Sequence, residues 1–567
     1  MRQYLPDWSW IKTYDRSKIS GDLIAGLTVG VMLVPQGMAY SMLAGLPPIY
    51  GLYASTIPLL IYALLGTSRQ LAVGPVAMVA LLIANGVGAI AELGSPEFVS
   101  LAILLSLMVG VIQFALGVVR AGFIVNFLAH PVISGFTSAA AIIIGVSQLK
   151  HLFGLSIGRG KVHETVIALY NNVSDINWIT FGIGTTAILI LVIFKNLKTK
   201  LPAPLIVVAL SILTVWFMGL HEQGVSIVRD VPSGLPPIGI PIWNQDAILS
   251  LLPMALTISF IGFMESIAVA KSIQAKHKDY TIVPNQELVA LGMANVVGSV
   301  FSSFPITGGF SRSAVNDQSG ARSGLASIIS GLLILLTLLL LTPYFYFLPH
   351  AVLSAIILVA VYGLIDIAEI KHLWHTDKQD FLLLVVTAVG TLAVGVEEGI
   401  LIGLVLSLVA LVYRVSYPHI AELSQVPDSR VYRNVNRFDF LDHHNQLLIV
   451  RFDAQLFFAN CEHLRSYIDE RLSNRQEVHS IIIHAGSIQS IDSSGYHALI
   501  NLIDDYSLSE IKVYFTHVVG PVRDKMNQLG LVHKIGKDSF HLTVADAVDY
   551  IEGRSKPVQE NIVLQSI

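Results

Sequence analysis

Two charged residues stand in stretches of the chain that are otherwise apolar: Glu265 in PMALTISFIGFMESIAVA and Arg312 in ITGGFSRSAVN. An ionised side chain is costly in a bilayer and points to a partner or a task. Glu265, within the apolar residues 247–270, has the chemistry to take up and release a proton during a transport cycle. The plainer reading is a permanent pair with Arg312 that ties two helices together, and one residue can serve both ends. Arg312 follows Thr307-Gly308-Gly309 by one turn. A helix starting there leaves its first amides, including those of Phe310 and Ser311, without intrahelical partners, and its dipole adds partial positive charge. Anions bind such ends. The first half of the chain repeats the arrangement in Gly74-Pro75-Val76-Ala77, which offers the amides of Val76 and Ala77. Gln36 and Tyr40 are four apart and share a helix face, toward the site or as simple bridges between helices. Asn285 and Glu287 are expected to cap the segment they begin, and Glu397 and Glu398 to be solvated at a loop. No histidine spacing of the HExxH kind occurs, so no metal is predicted.

The elements that must position these residues are set by composition. The chain has 567 residues, 53% hydrophobic and 13% charged, with mean hydropathy +0.66. That leaves too little polar surface for a set of soluble domains and implies an integral membrane protein. Residues 1–418 carry 21 Lys/Arg and 20 Asp/Glu, whereas the much shorter stretch 419–567 carries 14 and 19. Two solvents are implied, hence a membrane domain over 1–418 and a soluble one over 419–567. No basic excess suits nucleic acid, and a single cysteine, Cys461, rules out an intrachain disulfide. The N-terminus lacks a signal-peptide apolar core, so insertion is expected to begin with the first span.

Fourteen apolar segments fit between residues 20 and 415, two of them poorly. Val73–Gly86 follows a Gly-Pro break, and Ile306–Asn316 is short, glycine-led and carries Arg312. Each is third in its set of seven. Interrupted spans at corresponding places of two halves mark an inverted-repeat transporter whose half-helix N-termini meet at a midplane site; close helix packing at glycine is the alternative. Lys and Arg in the short loops test the count. With both ends of the membrane domain inside, the inner segments hold Arg2, Lys12, Arg16, Lys18, Arg69, Arg120, Lys195, Lys198, Lys200, Lys271, Lys276, Lys278, Arg322, Lys371, Lys378 and Arg414. The outer ones hold Lys150, Arg159, Lys161 and Arg229.

Beyond Pro418, residues 446–452, 480–486 and 512–518 read as strands alternating with helical stretches over 461–474 and 494–508, a small α/β domain. Ile491-Asp492-Ser493-Ser494-Gly495 joins strand to helix; it is an ordinary cap or a phosphoacceptor loop.

With these residues in view the chain resembles the sulfate permease (SulP) family of anion transporters. The resemblance rests on VPQGMAY (34–40) and LAGLPPIYGLYAS (43–55), on LLGTSRQLAVGPVAM (64–78), and on FMES (263–266). It continues through NQELVALGMANVVGSVFSSFPITGGFSRSAVN (285–316) and LPHAVLSAI (348–356). The tail looks like a STAS domain, with 491–495 matching the phosphorylated loop of anti-sigma-factor antagonists and Ser493 aligned to their modified serine. The similarity implies a polytopic α-helical fold, a seven-plus-seven inverted repeat of the uracil-permease type with core and gate domains, commonly a homodimer. It places the anion among Gln36, Tyr40, Val76, Ala77, Phe310, Ser311 and Arg312, with Glu265 in proton coupling. A related bicarbonate transporter type holds sodium with an aspartate where this chain has Glu265, which favours protons over sodium here.

The expectation is secondary active transport of sulfate or a similar small inorganic anion, coupled to protons, without metal or organic cofactor. Exchange of chloride, bicarbonate or a dicarboxylate is the alternative. A non-transporting anion sensor signalling through the STAS domain is a third reading. No GxxxxGK[ST] motif supports an ATPase, and no enzyme activity is expected. The expected setting is the lipid bilayer of a bacterial inner membrane, with the N-terminus and tail cytoplasmic. A cytosolic protein partner or a kinase would act at the STAS domain, and nucleic acid would not be bound.

Overall fold

The computed structural model describes residues 14, 18–123, 129–158, 161–196, 203–241, 244–277 and 279–554. Of the loop cations counted above, Arg2, Lys12, Arg16, Arg159, Lys198, Lys200 and Lys278 lie outside the described residues, as do the side chains of Lys195 and Glu397. The chain divides into two compact units, one up to Ser407 and one from Leu408.

All fourteen apolar segments are helical in the first unit and its end. The first half runs α1 Ile19–Ala44, α2 Pro48–Tyr53 and α3 Ile57–Leu65, β1 Val73–Gly74, α4 Ala77–Gly86, α5 Pro96–Val118 and α6 His130–Phe153. Then come α7 Val162–Asn171, α8 Trp178–Asn196 and α9 Ala203–Phe217. The second half runs α10 Gln245–Gln274, α11 Pro284–Val300, β2 Thr307–Gly308, α12 Phe310–Gln318 and α13 Leu325–Leu340. It closes with α14 His350–Tyr362, α15 Ile367–Thr376, α16 Lys378–Ala393 and α17 Val396–Ser416. Two helices, α7 and α15, were not expected. Each has 10 residues and a single buried side chain, Thr165 and Leu373 respectively, too little apolar surface to register as a span. Each follows the fifth segment of its half, a further trace of the repeat.

Local chemistry sets several helix ends. The Ser95 hydroxyl accepts from the Phe98 amide to start α5, with Pro96 as its first residue. Gly45, at φ 87°, closes α1 in the left-handed region. Packing sorts the helices into two bundles. In one, α1 lies on α13, and α11 lies against both α5 and α3, with α10 beside α5. In the other, α6 packs on α16 and α14, and α14 on α8. Small residues allow the closest approaches, since a Cβ on Gly51 would stand 1.9 Å from the carbonyl oxygen of Gly37.

Asn285 and Glu287 do not cap α11, contrary to the sequence expectation. The N-cap is Val283 without a side-chain bond, and the Asn285 Oδ1 accepts instead from the Gly122 amide. Glu287 is fully buried and accepts from the Tyr62 hydroxyl, the Thr67 amide and hydroxyl, each at 2.6 Å, and the Ser68 amide at 3.1 Å. It therefore holds the turn that leads from α3 into β1. A buried carboxylate so surrounded is strongly held, and removing it strands four donors. Glu287→Ala is expected to lower stability by about 3 kcal/mol, read as a fall in the melting temperature of the purified protein in detergent; an unchanged melting curve would refute this anchoring role.

The second unit carries a six-stranded sheet in the order β4-β3-β5-β6-β7-β8: β3 Ile420–Gln425, β4 Tyr432–Asn434, β5 Leu447–Phe452, β6 Ser480–His484, β7 Lys512–Thr516 and β8 Phe540–His541. β5 to β8 are parallel, and β3 joins β5 antiparallel. Alternate residues face opposite ways. Leu448, Val450, Ile481, Ile483, Val513 and Phe515 pack with Leu464 and Leu499 of helices α18 Cys461–Ser473 and α19 Ser493–Leu508. Leu447, Ile449, Ile482 and Tyr514 pack with Val544 and Val548, reached after α20 Gly520–Gln528 and α21 Leu531–Ile535, in α22 Val544–Ile551. The three central strands were legible because both faces are apolar. β3, β4 and β8 were not, being short, polar or at an edge.

Candidate functional site

The two short half-helices are aimed by a two-stranded crossing. β1 and β2 pair antiparallel, Val73 opposite Gly308 and Gly74 opposite Thr307, and the Gly309 amide donates to the Ala72 carbonyl at 3.1 Å. Side chains lock the crossing. The Ser266 hydroxyl meets that of Thr307 at 2.7 Å and accepts from the Gly308 amide at 2.8 Å. Ser313 accepts from the Ala72 amide at 2.9 Å, and Asn295 takes the Ile306 amide at 2.8 Å. From this crossing α4 and α12 depart with their N-termini toward a common space. Among the described residues no hydrogen bond takes the amides of Ala77, Met78, Phe310 or Ser311, the condition for binding an anion at a helix end.

That space is a cavity of about 650 Å³. Gln36 and Tyr40 of α1, Val76 and Ala77 at α4, Glu265 of α10, and Phe310, Ser311 and Arg312 of α12 all line it. Pro35 lies inside α1 directly before Gln36, where it removes a helix donor and loosens the turn. Arg312 is buried and folds back over the crossing, its Nη1 donating to the Pro75 carbonyl at 2.6 Å. A Cβ on Gly309 would stand 2.9 Å from the guanidinium carbon, so glycine is what lets the arginine lie there. Its Nε and Nη2, the Glu265 Oε2 and the Gln36 Oε1 are buried without a partner among the described residues. No ion pair among them joins Glu265 to Arg312, so the permanent-pair reading does not describe this arrangement.

Another part of the lining comes from the other bundle. Val132, Ser134, Phe136 and Thr137 of α6, with Leu364 and Asp366 beyond α14, face the same cavity. The sequence reading omitted this wall, although Ser134 and Thr137, three apart in an apolar segment, were a visible cue.

In the second unit the Asp492 carboxylate, not a serine, caps α19 by accepting from the Gly495 amide at 2.6 Å. Ser493 is exposed at the first helical position. Nearby, burial first and then the Asp492 carboxylate push the Cys461 thiol up to about 11, so it is not a thiolate at neutral pH.

Residues 19–387 match the sulfate permease family and residues 441–547 the STAS domain. The chain is 39% identical over 565 residues to sulfate transporter 4.1, chloroplastic, of Arabidopsis thaliana, covering 96% of this chain and 82% of that one. It belongs to the sulfate permease family. A second relative, high affinity sulfate transporter 2 of Stylosanthes hamata, is 35% identical, covering 96% of this chain and 86% of that one. The fold is that of the murine solute carrier 26 family member A9 anion transporter in its inward-facing state. The TM-score is 0.90 at 26% identity, over 97% of this chain and 94% of that one. This sulfate permease family member is therefore an integral membrane anion transporter with a C-terminal STAS domain. These sulfate-transporter relatives are plant proteins and lend no support to the bacterial setting expected from the sequence.

Proposed function

We propose that the protein carries sulfate, or a small inorganic anion of similar size and charge, through the half-helix cavity together with protons. The observation that carries this reading is the meeting of two helix N-termini with Arg312 and Glu265 in one cavity, their remaining polar atoms unpartnered. Sulfate keeps two negative charges at neutral pH. Two helix ends of about half a charge each and one guanidinium offset them. A carboxylate at Glu265 would oppose the dianion in the same space, whereas a carboxyl would not, so anion and proton favour each other's binding. Inward movement against a negative-inside potential costs roughly 2.3 kcal/mol per charge per 100 mV, and accompanying protons cancel that cost. The names of the plant relatives support sulfate as the cargo. The test is radiolabelled uptake into proteoliposomes, with sulfate, chloride and bicarbonate compared with and without an inward pH gradient. Gradient-dependent sulfate uptake supports symport; gradient-independent flux dependent on internal anion would make the protein an exchanger.

The loop cations favour an orientation with the N-terminus and STAS domain cytoplasmic, and the family resemblance favours a homodimer, which the particle mass in detergent would check. Exposed Ser493 suits a kinase or a cytosolic protein partner, because phosphate there adds about −1.5 to −2 charges at a helix N-terminus. The tail regulates transport on this reading and does not form the pocket, which is drawn from residues before Pro418. Removing residues 419–567 is therefore expected to leave anion affinity in detergent within about twofold while lowering flux. Loss of binding by a folded, inserted truncation would assign part of the pocket to the tail.

A further inference from the structure

Within α6 the hydroxyls divide into two kinds. Thr137 donates to the Ile133 carbonyl at 2.8 Å and Ser147 to that of Ile144 at 2.7 Å, the usual way a hydroxyl is satisfied inside a membrane helix. Ser138 accepts from the Asp366 amide. Ser134 departs from this pattern: it is 6% exposed, and its Oγ is buried without a partner among the described residues. A buried hydroxyl left in that state is destabilising unless something else meets it. Ser134 faces the cavity that holds Gln36, Glu265 and Arg312, the other residues there with buried, unpartnered side-chain atoms. Those three belong to the bundle of α1, α10 and α12, whereas α6 packs on α14 and α16.

We propose that Ser134 is an anion-binding residue that donates its hydroxyl to an oxygen of the transported oxyanion from the α6 part of the cavity that Arg312 also lines. The anion is then grasped by both bundles at once. An oxyanion with several acceptor oxygens can satisfy Arg312, the helix ends and Ser134 together, whereas a spherical monoanion small enough to seat against the half-helices is a single acceptor with no second atom to offer Ser134. Ser134 thus favours tetrahedral oxyanions over halides, and it couples occupancy to the approach of the two bundles. The neutral Gly135 beside it, whose Cβ would stand 2.3 Å from the Leu384 carbonyl, keeps α6 tight on α16 and so fixes where Ser134 points.

The inference rests on the anion-transport reading above, and its test separates the two. Sulfate, selenate and chloride binding to the full-length protein in detergent would be measured by titration and by the anion-induced shift in melting temperature, for wild type, Ser134→Ala, Ser134→Thr and Arg312→Ala. Ser134→Ala is expected to weaken sulfate and selenate roughly tenfold, as for a hydrogen bond to a charged group. Chloride should change less than twofold and the ligand-free melting temperature should hold or rise, because an unpartnered hydroxyl has been removed. Ser134→Thr keeps the hydroxyl and should restore most of the affinity. Unchanged sulfate binding in Ser134→Ala, with Arg312→Ala defective, would overturn the role of Ser134 and leave the pocket intact. Equal weakening of sulfate and chloride would reduce it to packing. Normal sulfate binding in Arg312→Ala would instead overturn the half-helix pocket itself.

Discussion

Arg312→Ala is expected to weaken sulfate binding by roughly a hundredfold, and Arg312→Lys by less. The guanidinium is buried with one nitrogen on the Pro75 carbonyl and two others unpartnered, so it has donors left for an anion. Two hydrogen bonds from a charged group to an anion are together worth about 3 kcal/mol at the lower end of the usual range, and each 1.4 kcal/mol is a factor of ten. Lysine keeps the charge but loses the planar fork, so it cannot hold Pro75 and an oxyanion together as arginine does. The bond to Pro75 also braces the β1–β2 crossing, and affinity should therefore be read beside the melting temperature. Equal affinities for wild type and a stable Arg312→Ala protein would make the arginine a structural brace.

Glu265→Gln should abolish accumulation driven by a pH gradient and leave downhill exchange in place. The amide has the shape of the protonated carboxyl without its titration, so the cavity accepts the anion but no proton travels with it. Each unit of pH gradient coupled to one proton supports about tenfold accumulation, since 1.36 kcal/mol corresponds to one pH unit. Wild-type vesicles should approach that ratio per coupled proton, and Glu265→Gln vesicles should stay near equal concentrations inside and outside while still exchanging labelled for unlabelled sulfate. Accumulation unchanged by the substitution would remove Glu265 from coupling.

The sequence by itself determined the fourteen apolar helical segments and the broken third and tenth among them. Hydropathy and glycine-led breaks are local properties, and they survive translation into structure because a bilayer leaves the backbone few options. It also singled out Gln36, Tyr40, Glu265 and Arg312, because polar groups in apolar runs are visible without coordinates. Only the tertiary structure decided what those groups touch. Glu287 reads as a helix cap by position, yet it is fully buried and binds a turn some 220 positions away, because residues distant in sequence meet through the two-bundle packing. The sequence left a pair of Glu265 with Arg312 open beside proton coupling, and only the structure shows Arg312 bonded to Pro75, whose carbonyl the β1–β2 crossing brings under the guanidinium. Ser134 was not read as a site residue for the same reason: a serine in an apolar helix is ordinary until the helices that share its cavity are known.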